Sequence, residues 1–157
     1  MKKAARAIIA VVICELAGFI GSLFTMPSIP GWYAGLTKPS FNPPGWIFGP
    51  VWTTLYALMG IAAWLVYERG LKGVNVKRAL SIFTAQLIVN VLWSIMFFGA
   101  HHILGAFVLI VALWILIAAT IQLFGKISKP AAILLVPYIL WVSFAAVLNA
   151  SLYVLNR

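Results

Sequence analysis

The chain of 157 residues is 64% hydrophobic and only 8% charged. Water-soluble domains carry about 25% charged residues, so a soluble globule of this composition is excluded and the lipid bilayer is the expected solvent. The two acidic residues, Glu15 and Glu68, are too few for catalysis by paired carboxylates or for a carboxylate-bound metal. The single cysteine, Cys14, excludes an internal disulfide.

Five apolar stretches predict five transmembrane helices. They run approximately over residues 4–24, 46–67, 79–99, 104–124 and 130–154. A helix of about 20 residues, rising about 1.5 Å per residue, crosses a hydrocarbon core of about 30 Å. Helices are expected because lipid offers no partner to unsatisfied backbone groups. The sequence therefore predicts an all-α integral membrane protein, a single five-helix domain with a long Pro/Trp-rich first extracytoplasmic loop.

The net charge of +9 is concentrated on one side of the predicted bundle. Nine cations fall at the N-terminus or in the second and fourth loops: Lys2, Lys3, Arg6, Arg69, Lys72, Lys77, Arg78, Lys126 and Lys129. The other side carries Lys38 and Arg157. Because cytoplasmic loops are rich in Lys and Arg, this predicts a multi-pass protein of the cell membrane with a cytoplasmic N-terminus and an external C-terminus. The basic residues indicate topology and attraction to membrane lipids rather than nucleic-acid binding.

Glu15 lies near the middle of the first predicted span. A charged side chain there costs about 2.5–3.5 kcal/mol on insertion scales, so we expect Glu15 to be protonated or paired with a polar group inside the bundle. Either state makes it a functional candidate, although a tolerated acid beside a polar crevice is the alternative. Gly18, Gly21 and Ser22 on the same span permit close helix packing.

The first loop, residues 25–45, contains five prolines. Proline fixes φ and disfavours helix in the residue before it, so the loop is predicted to be stiff and largely non-helical. Its aromatic residues are Trp32, Tyr33 and Phe41, with Trp46 directly after it. These rings form either an aromatic belt at the membrane interface or a lid over the mouth of the bundle.

Three spans carry aromatic and amide side chains at helical spacing. The third span holds Gln86, Asn90, Trp93, Ser94 and Phe97; the second holds Gly49, Trp52, Tyr56 and Ala63; the fifth holds Tyr138, Trp141, Ala145, Leu148 and Asn149 after Pro137. This spacing predicts one face on each helix, directed into the bundle. The amides either join helices or line a cavity suited to a flat, hydrophobic, weakly polar ligand. The adjacent His101 and His102 lack a further Cys, His or acid nearby, so no metal site is expected.

Three segments resemble the tryptophan-rich sensory protein family, the TspO/MBR group that includes the translocator proteins or peripheral benzodiazepine receptors. They are WYAGLTKPSFNPPGWIFGPVWTTLY (residues 32–56), QLIVNVLWSIMFFGA (86–100) and PYILWVSFAAVLN (137–149). The resemblance covers essentially the whole chain. It implies a five-helix bundle, commonly a homodimer, with a pocket opening toward the first loop. It also implies protoporphyrin or haem as ligand, with no cofactor required.

Mapped onto this sequence, the resemblance places Trp32, Trp52, Asn90, Trp93, Trp141, Ala145 and Leu148 in the pocket. The residue patterns add Tyr33, Lys38, Tyr56, Phe97 and Tyr138 as candidate ligand contacts. Some bacterial members are reported to promote light-dependent oxidative breakdown of protoporphyrin. Trp32 and Trp141 would be catalytic only if this chain shares that activity.

Three functions follow from these patterns and this resemblance. The first is tetrapyrrole binding, as a sensor, scavenger or translocator in porphyrin homeostasis and stress response. The second is an enzyme that degrades protoporphyrin in light, and the third is a lipid- or sterol-binding assembly factor. Sterol binding is expected to be weak, because Ala150 and Val154 stand where the family's sterol signature has tyrosine and arginine.

Overall fold

The structure, a computed structural model, describes residues 2–157 and all of their side chains except that of Val74. Five helical segments are long and apolar enough to cross a membrane. The helices are α1 (Lys3–Ser28), α2 (Phe48–Tyr67), α3 (Val74–Ser94), α4 (Ile103–Ile127), α5 (Lys129–Leu134) and α6 (Val136–Leu155). The fifth spanning segment consists of α5 and α6, which meet at Leu135 just before Pro137. The predicted all-α membrane fold is confirmed, and residues 2–157 contain no strand.

The first helix continues much further than the sequence predicted. Pro27 lies inside α1, and a π-helix over Ile29–Tyr33, which includes Pro30, extends the same segment. The prediction of a largely non-helical loop from residue 25 was therefore wrong, and the non-helical part is residues 36–44. In lipid the chain remains helical across a proline because the wider π-turn re-satisfies backbone groups that proline leaves without a partner.

Helices α1 and α2 approach closely at Gly60. A Cβ at Gly60 would lie 2.5 Å from the Cα of Val11 and 2.9 Å from the carbonyl oxygen of Ala10. Nearer the first loop, the ring of Tyr56 occupies the place where a side chain at Gly18 would be. Small residues allow such contact between helices in lipid, where dispersion forces replace the hydrophobic effect as the source of association.

The two acidic residues have different surroundings. Glu68, at the end of α2, pairs with Arg6 of α1 through two contacts, Nε to Oε1 at 2.9 Å and Nη2 to Oε2 at 3.3 Å. This pair joins α1 and α2 at the end of the bundle that holds the N-terminus, which we call the basic end. The opposite end, which holds residues 34–47, is called the loop end. Glu15 lies between the two ends and far from Arg6 along α1.

Candidate ligand-binding site

Aromatic side chains from four of the five spanning segments converge on a small cavity near the loop end. The cavity has a volume of about 20 Å³ and is lined by Tyr33, Phe48, Trp52, Trp93, Phe97, Phe98, Trp141, Ala145, Leu148, Asn149 and Leu152. This volume holds about one water molecule. The structure thus brings together the predicted Tyr33, Trp52, Trp93, Phe97, Trp141, Ala145 and Leu148 around a small space.

Phe98 lines the cavity although the helical spacing did not indicate it. A π-helix over Ile95–Gly99 follows α3 directly. Its wider turn allows Phe97 and Phe98 to be buried together, with ring centroids 4.8 Å apart. In a regular α-helix consecutive side chains point about 100° apart, so sequence periodicity could assign only one of them to the interior.

Two further lining residues lie at helical spacing, and the sequence pattern of the fifth span already included one of them, Asn149. Phe48 lies one helical turn before Trp52 on α2, and its ring is 6.1 Å from that of Trp141. Asn149 accepts a hydrogen bond from Nε1 of Trp93 at 3.1 Å and donates one to the carbonyl of Ile103 at 3.0 Å. Asn149 therefore fixes the orientation of the Trp93 ring and joins α3, α4 and α6.

Trp141 has a buried indole N–H that donates to no residue described by the structure. Its ring packs against Phe48 at 6.1 Å and Phe144 at 5.4 Å between centroids, and it lines the cavity. A buried donor without a partner is rare in native proteins and costs about 1–3 kcal/mol. Trp141 is consequently a candidate donor to an acceptor atom of a bound ligand.

The predicted Tyr56, Asn90 and Tyr138 lie beside the cavity in a hydrogen-bonded network. Tyr56 donates to Oδ1 of Asn90 at 3.1 Å, Nδ2 of Asn90 donates to the Tyr138 hydroxyl at 2.6 Å, and that hydroxyl donates to Oε1 of Gln86 at 2.8 Å. The ring of Trp52 is 6.3 Å from that of Tyr138. Both the oxygen and the nitrogen of the Asn90 side-chain amide are thus already hydrogen-bonded within the protein. The network joins α2, α3 and α6, and Trp52 of the cavity packs against it through Tyr138.

Trp32 and Lys38 lie outside the cavity lining. Trp32 stacks on the imidazole of His101, with centroids 4.3 Å apart and planes inclined by 10°, and its edge meets Phe97 at 5.4 Å. The ammonium group of Lys38 donates to the carbonyls of Ala34 and Leu36. Trp32 therefore contacts the cavity-lining Phe97 but does not itself line the cavity.

The two histidines have structural roles in the turn between α3 and α4. His101 has a φ of 55°, a left-handed conformation that reverses the chain. Its Nε2 lies 3.0 Å from Oγ of Ser28, which donates to the carbonyl of Phe98. Nδ1 of His102 accepts the backbone N–H of Gly105 at 2.8 Å and caps α4. The turn thus ties the end of α1 to the end of α3.

Loop residues 36–44 are fastened across the loop end of the bundle. The Asn156 side chain, just after α6, accepts from the backbone N–H of Thr37 and donates to its carbonyl, both at 2.9 Å. At the other side of the loop, the Tyr33 hydroxyl donates to Oδ1 of Asn42 at 2.7 Å. The loop therefore connects the end of α1 to the end of α6, and Tyr33 of the cavity is one of its anchors.

Replacing Asn156 with alanine is expected to loosen this loop without disturbing the helices. Two hydrogen bonds worth about 0.5–1.5 kcal/mol each are lost at an exposed site. Amide exchange at Thr37 should become faster, by roughly tenfold if about 1.4 kcal/mol is lost. Hydrogen–deuterium exchange measured by mass spectrometry tests this, with Asn75→Ala as the matched control, because Asn75 is exposed at the basic end. Equal exchange at Thr37 in the two variants would contradict the role of Asn156.

These features define a class of protein: a multi-pass helical membrane protein with a small aromatic cavity near a loop that hydrogen bonds hold across one end of the bundle. The TspO/MBR family model matches residues 10–155. The chain is 46% identical to a tryptophan-rich protein TspO of Chlorobaculum tepidum over 92% of this chain and 91% of that protein. It is 45% identical to one of Archaeoglobus fulgidus, over 95% and 96%. It is 41% identical to the translocator protein of Homo sapiens, over 86% and 80%. The chain belongs to the TspO/MBR family.

Proposed function

We propose that this protein is a membrane tetrapyrrole receptor that binds protoporphyrin or haem in the aromatic cavity. It would act as a sensor, scavenger or translocator in porphyrin homeostasis. The observation that carries the proposal is the convergence of Trp52, Trp93 and Trp141 with three phenylalanines on one space, where the indole N–H of Trp141 has no partner among the described residues. The names of the relatives, sensory and translocator proteins, agree with such a role.

The chemistry of the cavity favours a flat aromatic ligand over an aliphatic one. A ligand that moves from lipid into the cavity gains little hydrophobic free energy, because lipid tails are as apolar as the cavity. Selectivity must then come from ring packing, worth about 0.5–1.5 kcal/mol per pair, and from hydrogen bonds. Several indole and phenyl rings can pack against a macrocycle, and the Trp141 N–H can donate to a carboxylate or a ring nitrogen.

Binding requires the cavity to open. Pockets for ligands of this kind occupy about 300–1,000 Å³, whereas this one occupies about 20 Å³. The fastened loop is the element that can move at small cost, since polar contacts at Thr37 and Asn42 hold it. Once the loop moves, Lys38 can leave the carbonyls of Ala34 and Leu36 and pair with a propionate group.

We also propose the orientation of the bundle. The basic end would face the cytoplasm, because the excess of Lys and Arg lies there. The cavity, the loop and Lys38 would then lie toward the external side of the membrane. Tetrapyrroles would reach the cavity from that side or from the outer leaflet.

Replacing Trp141 with phenylalanine tests the hydrogen-bonding role directly. The substitution retains an aromatic ring but removes the unpartnered N–H, so protoporphyrin should bind about tenfold more weakly for a lost hydrogen bond of about 1.4 kcal/mol. Binding is measured in darkness from the absorbance of the protoporphyrin. Trp46→Phe is the matched control, because Trp46 is 74% exposed at the protein surface. Equal affinity in the two variants would contradict the role of Trp141.

The same titration under illumination distinguishes binding from turnover. A receptor leaves the protoporphyrin absorbance stable in light, whereas an enzyme reduces it. If the wild type loses protoporphyrin absorbance in light and Trp32→Phe and Trp141→Phe do not, the protein is an enzyme rather than a receptor. A stable absorbance with saturable binding supports the receptor.

A further inference from the structure

A second space lies between α1 and α2, separate from the aromatic cavity. This lateral groove has a volume of about 330 Å³ and is floored by Trp93, Ser94 and Phe98 of the third spanning segment. Phe48, Trp52, Trp93 and Phe98 line both spaces and form the wall between them. The groove is large enough for a small ligand as it stands, whereas the cavity is not.

Glu15 is the acidic residue of the groove. It lies in the middle of the 26-residue α1, and its carboxylate makes no hydrogen bond or ion pair with any residue that the structure describes. The nearest cation along α1, Arg6, is already paired with Glu68 at the basic end. A carboxylate at membrane depth is costly and normally has a partner. The groove therefore holds an acceptor for which the described part of the chain supplies no donor.

Nearby hydroxyl groups do not satisfy the carboxylate. Ser22 donates to the carbonyl of Phe19 at 2.7 Å, and Thr25 donates to the carbonyl of Gly21 at 3.1 Å. The Tyr56 hydroxyl donates to Asn90. These three hydroxyls are engaged with the protein itself, and the hydroxyls of Thr53 and Ser94, which also line the groove, make no hydrogen bond to Glu15. Glu15 is the one acidic residue among the residues that line the groove.

Aromatic rings form much of the remaining groove surface. Trp52 packs against Tyr56 at 5.7 Å and against Trp93 at 6.4 Å between centroids, and Phe19 lies on α1 at the edge. Ring faces attract cations, more strongly when water is absent. A carboxylate and several aromatic faces in one apolar groove are complementary to an organic cation and do not favour an anionic or neutral lipid.

We propose that this lateral groove is a second binding site, which takes a lipophilic aromatic cation with Glu15 as its counter-ion. The ligand enters from the bilayer between α1 and α2 and packs against Trp52 and Phe19. Its positive charge lies against the Glu15 carboxylate. This site does not depend on the tetrapyrrole function, because Glu15 faces the groove and not the aromatic cavity.

The test uses ethidium, a planar aromatic cation, and its uncharged parent ring phenanthridine, with the purified protein in detergent. Equilibrium dialysis should show saturable ethidium binding to the wild type. Binding should weaken by about tenfold or more in Glu15→Gln, which keeps the shape and removes the charge. Glu68→Gln is the matched control, because it removes the other acid outside the groove and should leave the affinity unchanged. Glu15→Asp should retain most of the binding.

Three results would overturn the proposal: no saturable ethidium binding to the wild type, equal affinity in Glu15→Gln, or equal affinity for phenanthridine. Thermal unfolding of each variant establishes that the fold is retained.

Protoporphyrin titrations separate this site from the tetrapyrrole cavity. Ethidium binding without protoporphyrin binding would support the groove as a cation site and would contradict only tetrapyrrole binding in the aromatic cavity. Loss of protoporphyrin binding in Glu15→Gln, without any ethidium binding, assigns the groove to the tetrapyrrole and overturns the second site.

Discussion

Replacing Ala145 with leucine should abolish protoporphyrin binding while the protein remains folded. Ala145 is 7% exposed and lines the aromatic cavity, whose volume of about 20 Å³ is smaller than the three added carbon atoms. The leucine would occupy the space that the opening of the loop must create for the ligand. Overpacking of this kind costs about 1–3 kcal/mol of folding free energy, so thermal stability should fall but not vanish.

The measurement for this prediction is a protoporphyrin titration in darkness, combined with thermal unfolding. Ala150→Leu is the matched control, because Ala150 is only partly buried on the same helix and does not line the cavity. The control should bind with the wild-type affinity. Wild-type binding in Ala145→Leu, with its fold intact, would exclude the cavity as the tetrapyrrole site.

Replacing Gly60 with alanine adds a single methyl group but should lower the free energy of unfolding by a large amount. The new Cβ would lie 2.5 Å from the Cα of Val11, and backbone cannot move aside as a flexible side chain can. Helices α1 and α2 would have to separate, and the overpacking cost of about 1–3 kcal/mol is expected here at its upper end. The arrangement of the lateral groove depends on the same helix pair.

Thermal unfolding in detergent checks the Gly60 prediction against Gly49→Ala on the same helix. A Cβ at Gly49 would meet no atom within 4 Å. Alanine exceeds glycine in helix propensity by about 0.8–1.0 kcal/mol, so Gly49→Ala should be neutral or stabilising. Equal unfolding temperatures for Gly60→Ala and the wild type would show that the close contact between α1 and α2 is not required.

The sequence predicted the membrane fold and the inward faces of three helices. Composition excluded a soluble protein, and five apolar stretches correspond to five spanning segments. The α-helical spacing was sufficient for Trp52, Trp93 and Trp141, because each lies on a regular helix. Where the local geometry is regular, the period of the side chains determines the face that points inward.

The missed features occur where the backbone is not a regular α-helix or where contacts depend on packing. Phe98 lies in a π-helix, and residues 25–33 continue a helix through two prolines. Trp32 meets His101 because that residue turns the chain with a positive φ. Asn90 has Tyr56 and Tyr138 as partners only because three helices meet at its position. Neither helix propensity nor the spacing of side chains within one helix specifies contacts between different helices.

Glu15 was expected to be neutral or to have a polar partner within the bundle. The structure places it in a groove open at the side of the bundle, without a hydrogen bond to any described residue, so the expected polar partner was wrong and the neutral state stays a prediction. Position along α1 predicted its depth in the membrane. The direction it faces depends on how α1 packs on α2, and Gly18 and Gly60 determine that packing.

Tetrapyrrole binding in the aromatic cavity is tested most directly by a crystal structure of the protein with bound protoporphyrin. We expect the macrocycle to lie between the rings of Trp52, Trp93 and Trp141, with an acceptor atom within hydrogen-bond distance of the Trp141 Nε1. We also expect loop residues 36–44 to have moved away from Asn156. A macrocycle bound elsewhere, with the cavity unchanged and the Trp141 N–H still without a partner, would exclude the cavity as the tetrapyrrole site.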